Sequence, residues 1–577
     1  MLRWGLLLSL WTALAVGGEP ARFRRPVDAE WLNHGQTLIT ANSRSGTLSM
    51  LDLTAKRVVA EIDVGGQPVD LLSWGDTSRW AVVDCSGNRL VWCTADPHGS
   101  LKVVGELPVG RGPQTAAKLS ATSLSVTSRW DHTVERIRVP LSAWPPFGIE
   151  RQVLELPFAP HLQLLLPGDE LLVVTDHAGD QLAVIALHDW TLHSVRRVQG
   201  HNIRGLILSS DQQSLLLAQQ MLNQQVATSQ DAVRDGILLQ NVVRELPLNA
   251  LRERRTLLPT VAKTVFLGRA AEGAADPSGL AMDGAGQLCV SLGGVDQLGI
   301  VSPGGRERVR PVVGSRPTTV LPRPGMTQAI VVNTLSDSLS LVDTQAGQLL
   351  EEFSLGPMPP LGPADRGERL FHDGRLSLEN WMSCHSCHTD GHANEALTDT
   401  FGDHSRGTPK RVLTLLGGRD ANPWGWTGDV RELHTQVMKS IDTTMQGPPL
   451  TARQINDLVA YLHTLEPAPP LQPITTSNAD KVQWTAGQSL FREAGCAQCH
   501  IPPLTYSSDV AFDVGHLDEA GHRTFNPPFL KGVSQRFHFF HDGSAHSLHE
   551  VINSGHFTTM TLNAPQREAL IRYLRSL

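Results

Sequence analysis

From about residue 27 to 357, hydrophobic and polar positions come in short alternating blocks: an apolar run, a polar turn, a second apolar run. "TLITANSRSGTLSMLDL", "RWAVVDCSGNRLVWCT", "ELLVVTDHAGDQLAVIAL", "QLCVSLGGVDQLGIVSP" and "QAIVVNTLSDSLSLVDT" all follow this pattern. It is the signature of strand, turn and strand, and no long amphipathic helix interrupts it. Taking each unit's first strand as its anchor gives Leu38, Trp80, Leu124, Leu171, Leu215, Leu288 and Ala329. These lie about 41 to 47 residues apart, except for one gap of about 73 between Leu215 and Leu288. Seven units at so steady a period predict a seven-bladed β-propeller over 27–357 with an insertion in blade five; a pair of β-sandwiches competes but would not impose the period. The insertion, "LAQQMLNQQVATSQDAVRDGILLQNVVRELPLNALRERR", reads as partly helical and is expected to lie against the rest of the protein. The stretch before Leu38 is long enough to lend a strand to blade seven.

After "LGPMPPLGPADRG" the pattern turns to helix and loop, and it is internally duplicated. "RLFHDGRLS...SCHSCH" matches "SLFREAGCAQCH", and "TARQINDLVAYLHTL" matches "NAPQREALIRYLRSL", with both Cys384 to Cys496 and Thr451 to Asn563 offset by about 112 residues. Two related, mainly α domains follow, at 362–466 and 481–577, with the proline-rich "EPAPPLQP" at 466–473 as linker. In the last helix of the first domain, Leu458, Tyr461, Leu462 and Leu465 form an apolar stripe on one face, which by itself is ordinary core packing.

A chain of 577 residues exceeds one core, in keeping with several domains. Charged residues at 18% and a formal net charge of -8 exclude both disorder and a basic field for nucleic acid. The opening "MLRWGLLLSLWTALAVGGEPARF" has Arg3, an apolar run from Leu6 to Val16 and then small residues, which predicts a secretory signal peptide over 1–18 and a periplasmic or otherwise exported protein; a retained anchor is the competing reading. No cysteine follows the apolar run, which speaks against a lipoprotein. Of seven cysteines, four belong to the duplicated motifs. In "VVDCSGNRLVWC" a hairpin turning at Gly87-Asn88 would pair Cys85 with Leu90 and Cys93 with Val82, too far out of register for a bridge. Cys85, Cys93 and Cys289 are therefore expected to be structural thiols.

The candidate chemistry sits in "WMSCHSCHTDG" and "AGCAQCH". Cys-x-x-Cys-His is the attachment signature of c-type haem: Cys384 and Cys387, or Cys496 and Cys499, bond the porphyrin, and His388 or His500 ligates the iron. A zinc site would need two ligand pairs per ion, and a thiol-disulfide pair would sit in a βαβ context. Two copies in duplicated helical domains point to two covalently bound haem c groups. In a c-type cytochrome the Leu-x-x-Tyr-Leu-x-x-Leu face is also the one that closes over the haem.

With these motifs in view, residues 362–577 resemble the bacterial di-haem cytochrome c peroxidase superfamily, including MauG-type enzymes that oxidise other proteins. "RLFHDGRLS" and "FNPPFLKGVSQRFHFFHDGSAHSLHEV" match its characteristic segments. The propeller units loosely resemble YVTN-type repeats of exported proteins. The resemblance implies a first haem where peroxide reacts, a second that takes electrons from a small donor protein such as a c-type cytochrome or cupredoxin, and a tryptophan between them. "NPWGWTGDVREL" places Trp426 at that position, where a plain core aromatic is the alternative. Counting onward, the family's active-site glutamate falls on Gln446, whose amide can hydrogen-bond but cannot cycle a proton. His392 and His404 could substitute as bases. His404 also stands where many members carry a ligand that leaves the first iron on activation; otherwise it is a surface loop histidine.

For the second iron the family's distal methionine aligns with Gly555, and a one-residue adjustment makes His556 the ligand, with Met560 the alternative; His541 is expected to hydrogen-bond rather than ligate. The family often holds calcium at its domain interface, but Lys410 and Arg411 stand near one of its ligand positions, so calcium is not expected. The implied function is that of a di-haem peroxidase-type oxidoreductase acting on hydrogen peroxide or a protein substrate, with the propeller as a docking module. The alternative is an electron-transfer or redox-sensing protein with saturated irons. The donor, the oxidant and the propeller's partner are not legible.

Overall fold

The computed structural model describes residues 21–577 apart from 34, 76–77, 96–99, 140–148, 169, 476, 555 and 557–558. The signal-peptide reading and Gly555 therefore lie outside the described residues. Strands from Pro26 to Ser354 form seven four-stranded antiparallel sheets, each taken from consecutive strands of the chain. This is the seven-bladed propeller. Apolar clusters fill the gap between each blade and the next, as with Ile39 and Leu48 of blade one against Val82 and Val91 of blade two. Middle strands are buried on both faces, which is why they read as continuous apolar runs.

The sequence anchors have the right period but the wrong phase. Leu38, Trp80, Leu124, Leu171, Leu215, Leu288 and Ala329 all lie on the second strand of their blade. The true first strands, such as Pro26–Asn33, Pro68–Ser73 and Pro113–Ser120, are innermost and carry polar side chains such as Asp28, Asp70 and Thr115, so a search for apolar runs passes over them. The hairpin register differs too: Val83 faces Leu90, Cys93 faces Trp80, and Cys85 lies beyond the strand end. The cause is Asp84, whose carboxylate accepts from Gly87 N and Gln67 N and sets a longer turn. All three propeller cysteines are free thiols.

Among the described residues no strand is lent across the closure, because blades one and seven each contain their own four strands. Side chains and the N-terminal segment close the ring instead. Trp31 Nε1 donates to Pro322 O, Thr319 Oγ1 to Val27 O, and the backbone N–H groups of Arg24 and Arg25 to the Asp337 carboxylate. The blade-five insertion comes in two parts: 223–238 with helix α1 (Gln230–Arg234), and a tail with α2 (Leu248–Arg252) and α3 (Leu258–Val261).

The C-terminal part contains α4 (Pro363–Phe371), α5 (Cys384–Cys387), α6 (Leu433–Lys439), α7 (Ala452–Leu462), α8 (Asn478–Glu493), α9 (Leu548–Asn553) and α10 (Ala564–Leu574). Helix α4 crosses α7 at Gly367, where a Cβ would fall 1.9 Å from Asp457 O; α8 crosses α10 at Gly487, where a Cβ would fall 2.0 Å from Ala569 O. Each crossing carries a bidentate ion pair, Arg366–Asp457 and Arg572–Asp480. The duplication is thus a duplication of geometry. One propeller face, formed by the turns between second and third strands, receives these domains: Arg44 reaches Glu368, as does Arg25 of the N-terminal segment, His132 reaches Gln535, and Asp296 reaches Arg375.

Candidate functional site

Two mainly apolar clefts lie in the C-terminal part, each with one Cys-x-x-Cys-His motif in its wall. In the first, α5 is a single turn capped at Ser383, and its hydrogen bond from His388 N to Cys384 O (2.9 Å) sets both thiols and the imidazole around one space. The second copy repeats this with His500 N on Cys496 O at 2.9 Å. Leu458 and Leu462 of α7 line the first cleft, and their copies Leu570 and Leu574 of α10 line the second. The apolar stripe therefore does both jobs open to it, packing the helix and walling the cleft.

The donor set fits haem c. His500 Nδ1 lies 3.0 Å from Tyr506 O, which fixes that nitrogen as the N–H and leaves Nε2 as the free lone pair. Burial pushes the imidazoles of both His388 and His500 down to about 4, so each is neutral and able to ligate. Burial likewise pushes the Cys384 and Cys387 thiols up to about 12, as expected of thiols lining an apolar slot rather than a thiolate metal site. Among the described residues, neither motif forms a grouping of three or more His, Cys, Asp or Glu ligand atoms of the kind a closed zinc site uses. Several buried donors lack partners: His388 Nδ1, which the Leu413 backbone approaches without hydrogen-bond geometry, His556 Nδ1 and Arg536 Nε. A buried guanidinium with an open N–H at the cleft wall suits a haem propionate.

The two clefts share a wall. Trp426, Arg411, Asn526, Pro527, Pro528 and Arg536 line both. Trp426 Nε1 donates to Arg411 O at 2.7 Å, and Arg411 N in turn donates to His541 O at 2.7 Å, so the wall is tied across the two domains. The Arg411 guanidinium stands over the Trp426 ring, 5.3 Å from its centroid. Burial pushes the guanidinium of Arg411 down, and that of Arg536 down to about 9 with the Arg411 charge assisting, while Glu395 opposes both shifts.

The other candidates divide. His556 lines the second cleft; Met560 is partly buried against the surrounding core and does not line it. His541 lines the second cleft, stacked on Phe525 with centroids 4.4 Å apart. In the first cleft, Met382 and Met445 are the methionines of the wall, whereas Gln446 is not part of it. The Gln446 amide donates to Thr228 O (2.8 Å) and Thr443 O (2.9 Å), which fastens this loop to the blade-five insertion. The same insertion binds Asp399 O through Thr228 N, so it does lie against the cytochrome part. His404 is exposed, in a left-handed conformation, and off the cleft wall. His392 is buried, with Nδ1 accepting from Ala393 N and Nε2 facing Gln535 O at 3.2 Å. Lys410 Nζ pairs with Asp403 and lies 3.0 Å from Asp518, so an ammonium occupies the Asp403/Asp518/His522 grouping.

Sequence reasoning missed three things here: the shared arginines Arg411 and Arg536, the Met445 wall position, and the polar contacts from Ser383, Ser386 and Asp390 to the propeller. The first motif's intervening residues carried a signal, since a histidine, His385, stands where the second copy has Ala497.

Comparison with known proteins finds a known family in the C-terminal part of the chain. Residues 364–481 match the family described as di-haem cytochrome c peroxidase. Cytochrome c551 peroxidase of Nitrosomonas europaea is 22% identical over 283 residues, covering 39% of this chain and 84% of that protein. Hydrazine synthase subunit gamma of Kuenenia stuttgartiensis is 25% identical over 274 residues, covering 37% and 76%. Among solved structures, a chain of Kuenenia stuttgartiensis hydrazine synthase superposes with a TM-score of 0.49 at 14% identity, covering 57% of this chain and 98% of that one.

Proposed function

We propose, from the premise that the C-terminal part of this chain is a di-haem cytochrome c peroxidase domain joined behind a seven-bladed β-propeller, that the protein is an exported oxidoreductase. It takes electrons from a small redox protein at the second cleft and delivers them to an oxidant, hydrogen peroxide foremost, at the first. Two haem c groups, held by Cys384, Cys387 and His388 and by Cys496, Cys499 and His500, supply the one-electron chemistry. One observation carries the reading: the two clefts share a wall, with Trp426 in it. Trp426 places an aromatic ring between the sites, and its hydrogen bond to Arg411 O keeps that ring from turning. Arg411 and Arg536 offer buried positive charge to anionic groups on either side. Exposed Ile501 and Leu504 directly after His500 support donor docking at the second cleft. The propeller acts as a recognition platform, and the same layout would serve oxidation of a partner protein with electrons running the other way.

Gln446 and His404 favour a second reading, an electron-transfer or redox-sensing protein without peroxide turnover. Neither lines the first cleft, so neither offers it a proton-cycling group. Low-temperature EPR of the fully oxidised and half-reduced protein, followed by hydrogen peroxide, separates the two. A high-spin signal that grows on half-reduction and is consumed by peroxide supports the enzyme; loss of one low-spin signal on half-reduction, with the other haem staying low-spin and indifferent to peroxide, leaves the electron-transfer protein.

A further inference from the structure

Where the propeller axis meets the first cytochrome domain, polar groups gather outside both clefts. His161 and Arg204 come from the innermost strands of blades four and five, His177 from a turn of blade four, Arg129 from a turn of blade three, and Asp390 from the loop after the first motif. Arg204 is satisfied: Nη2 pairs with Asp390 Oδ2 at 2.8 Å and Nε donates to Asn202 Oδ1 at 2.8 Å. Asp390 is also taken up, meeting His385 Nε2 at 3.1 Å through its other oxygen.

Arg129 is not satisfied. It is only 7% exposed, its Nε and Nη2 are buried without a hydrogen-bond partner among the described residues, and its guanidinium lies 4.0 Å from the Trp130 ring centroid. His177 is 1% exposed, with neither ring nitrogen in a hydrogen bond; Nε2 approaches Asp390 Oδ2 at 3.0 Å but off the hydrogen-bond line. Its ring meets that of His161 edge-on at 5.1 Å. Asp176 is the other acid whose charge reaches Arg129, but burial pushes its carboxyl up to about 7 and its Oδ1 accepts from Ala178 N. Two guanidinium groups thus face one committed carboxylate, and the imidazoles, pushed down in part by those cations, stay neutral. An unmatched buried positive charge with open N–H groups is costly unless something negative meets it.

We propose that this axial mouth is a small-anion site, in which Arg129 and His177 donate to a monovalent inorganic anion of the size of chloride or nitrite, and Arg204 and His161 wall it. Asp390, held by His385 of α5 at 3.1 Å, bounds it on the cytochrome side. The site is separate from both haem clefts, as none of these residues lines either.

Bromide is the probe. Crystals of the full-length holoprotein soaked in sodium bromide and measured at the bromine edge should show an anomalous peak within hydrogen-bond reach of Arg129 Nε and Nη2, absent from R129Q crystals. In solution, replacing gluconate by bromide at constant ionic strength should raise the Tm of the wild type saturably and leave R129Q unmoved. Ordered water without an anomalous peak at Arg129, or equal wild-type Tm in bromide and gluconate, overturns the proposal. The wild-type measurements decide the matter even if R129Q does not fold.

Discussion

The rings of Trp426 and His541 face each other across the boundary between the two cytochrome domains, 6.4 Å apart at an interplanar angle of 73°. They occupy equivalent places in the duplication. Each is the third residue of a loop closed by a backbone bridge, Trp424 with Val430 in one copy and Phe539 with Ala545 in the other, and each loop has a glycine at positive φ two residues on, Gly428 and Gly543. Duplication has thus set two aromatic rings edge to face where the clefts meet.

This relationship makes Trp426 testable in two steps. Trp426→Phe keeps a ring but leaves Arg411 O without its donor, costing about 1–3 kcal/mol as a modest drop in thermal midpoint. Trp426→Leu removes the ring as well. If the ring carries electrons between the sites, equilibration between the haems, followed by stopped-flow reduction, should slow far more in Trp426→Leu than in Trp426→Phe. Equal rates in both variants and the wild type would refute the role.

Gly367 and Gly487 should each tolerate no side chain. Alanine would push a methyl against Asp457 O or Ala569 O at 1.9 and 2.0 Å, both backbone atoms that cannot swing aside. The helices must separate, at a cost of about 1–3 kcal/mol or more. Pyridine haemochrome assay and calorimetry should show Gly367→Ala weakening the first cytochrome domain and Gly487→Ala the second, each leaving the other's haem content near normal.

These glycines also show what the sequence could and could not tell. Each sits four residues before the aromatic of "RLF" or "SLF", inside matched segments, so the duplication was readable from the spacing of the motifs and final helices alone. The close crossing was not, because a glycine in a helix looks the same whether it faces water or a backbone carbonyl. The propeller's period was legible in its second strands. Its phase was hidden because innermost strands carry channel-facing polar residues such as Asp28 and Asp70. Gln446 could be aligned by counting, but its direction depends on Thr228, over two hundred positions earlier in the chain, in an insertion that no local pattern ties to it.

Gln446→Glu tests that direction. In the structure the amide donates to two carbonyl oxygens, and a carboxylate there would face both as an acceptor. The variant should lose about 1–3 kcal/mol of stability and loosen the contact between the blade-five insertion and the 443–446 loop, without gaining peroxide turnover. Hydrogen exchange at 223–238 and a steady-state peroxidase assay check both halves. A gain in turnover with unchanged exchange would mean that the side chain reaches the cleft.

His556 has the buried, unpartnered Nδ1 of a side chain waiting for company in the second cleft, and Met560 is off its wall. His556→Ala should convert the second haem from low to high spin in EPR, and Met560→Ala should leave it low spin. His556→Met should restore a low-spin iron at a higher reduction potential, since thioether ligation favours the reduced state. A low-spin signal surviving in His556→Ala would assign the ligand elsewhere.

Lys410 joins the cytochrome domains through Asp403 of the first and Asp518 of the second, whose side chains are 6% and 0% exposed. Burial alone would raise both carboxyls. Hydrogen bonds from Lys410 to Asp403, and from His522 and Lys410 to Asp518, outweigh it and hold both below the usual carboxylate value of 3.8. A carboxyl whose folded pKa is depressed contributes stability that is complete above its unfolded pKa and fades as pH falls through the folded one. The wild-type interface should therefore hold at neutral pH and weaken from about pH 4 downward. Lys410→Met removes the cation and leaves two buried carboxylates facing each other, so it should lower the thermal midpoint most at pH 7. The gap to the wild type should narrow as pH falls, first as the variant's mutually repelling carboxyls protonate and then, from about pH 4 downward, as the wild-type ion pair's contribution fades toward the depressed folded values. A difference in midpoint that stays constant from pH 7 to pH 3 would show that Lys410 contributes packing rather than charge.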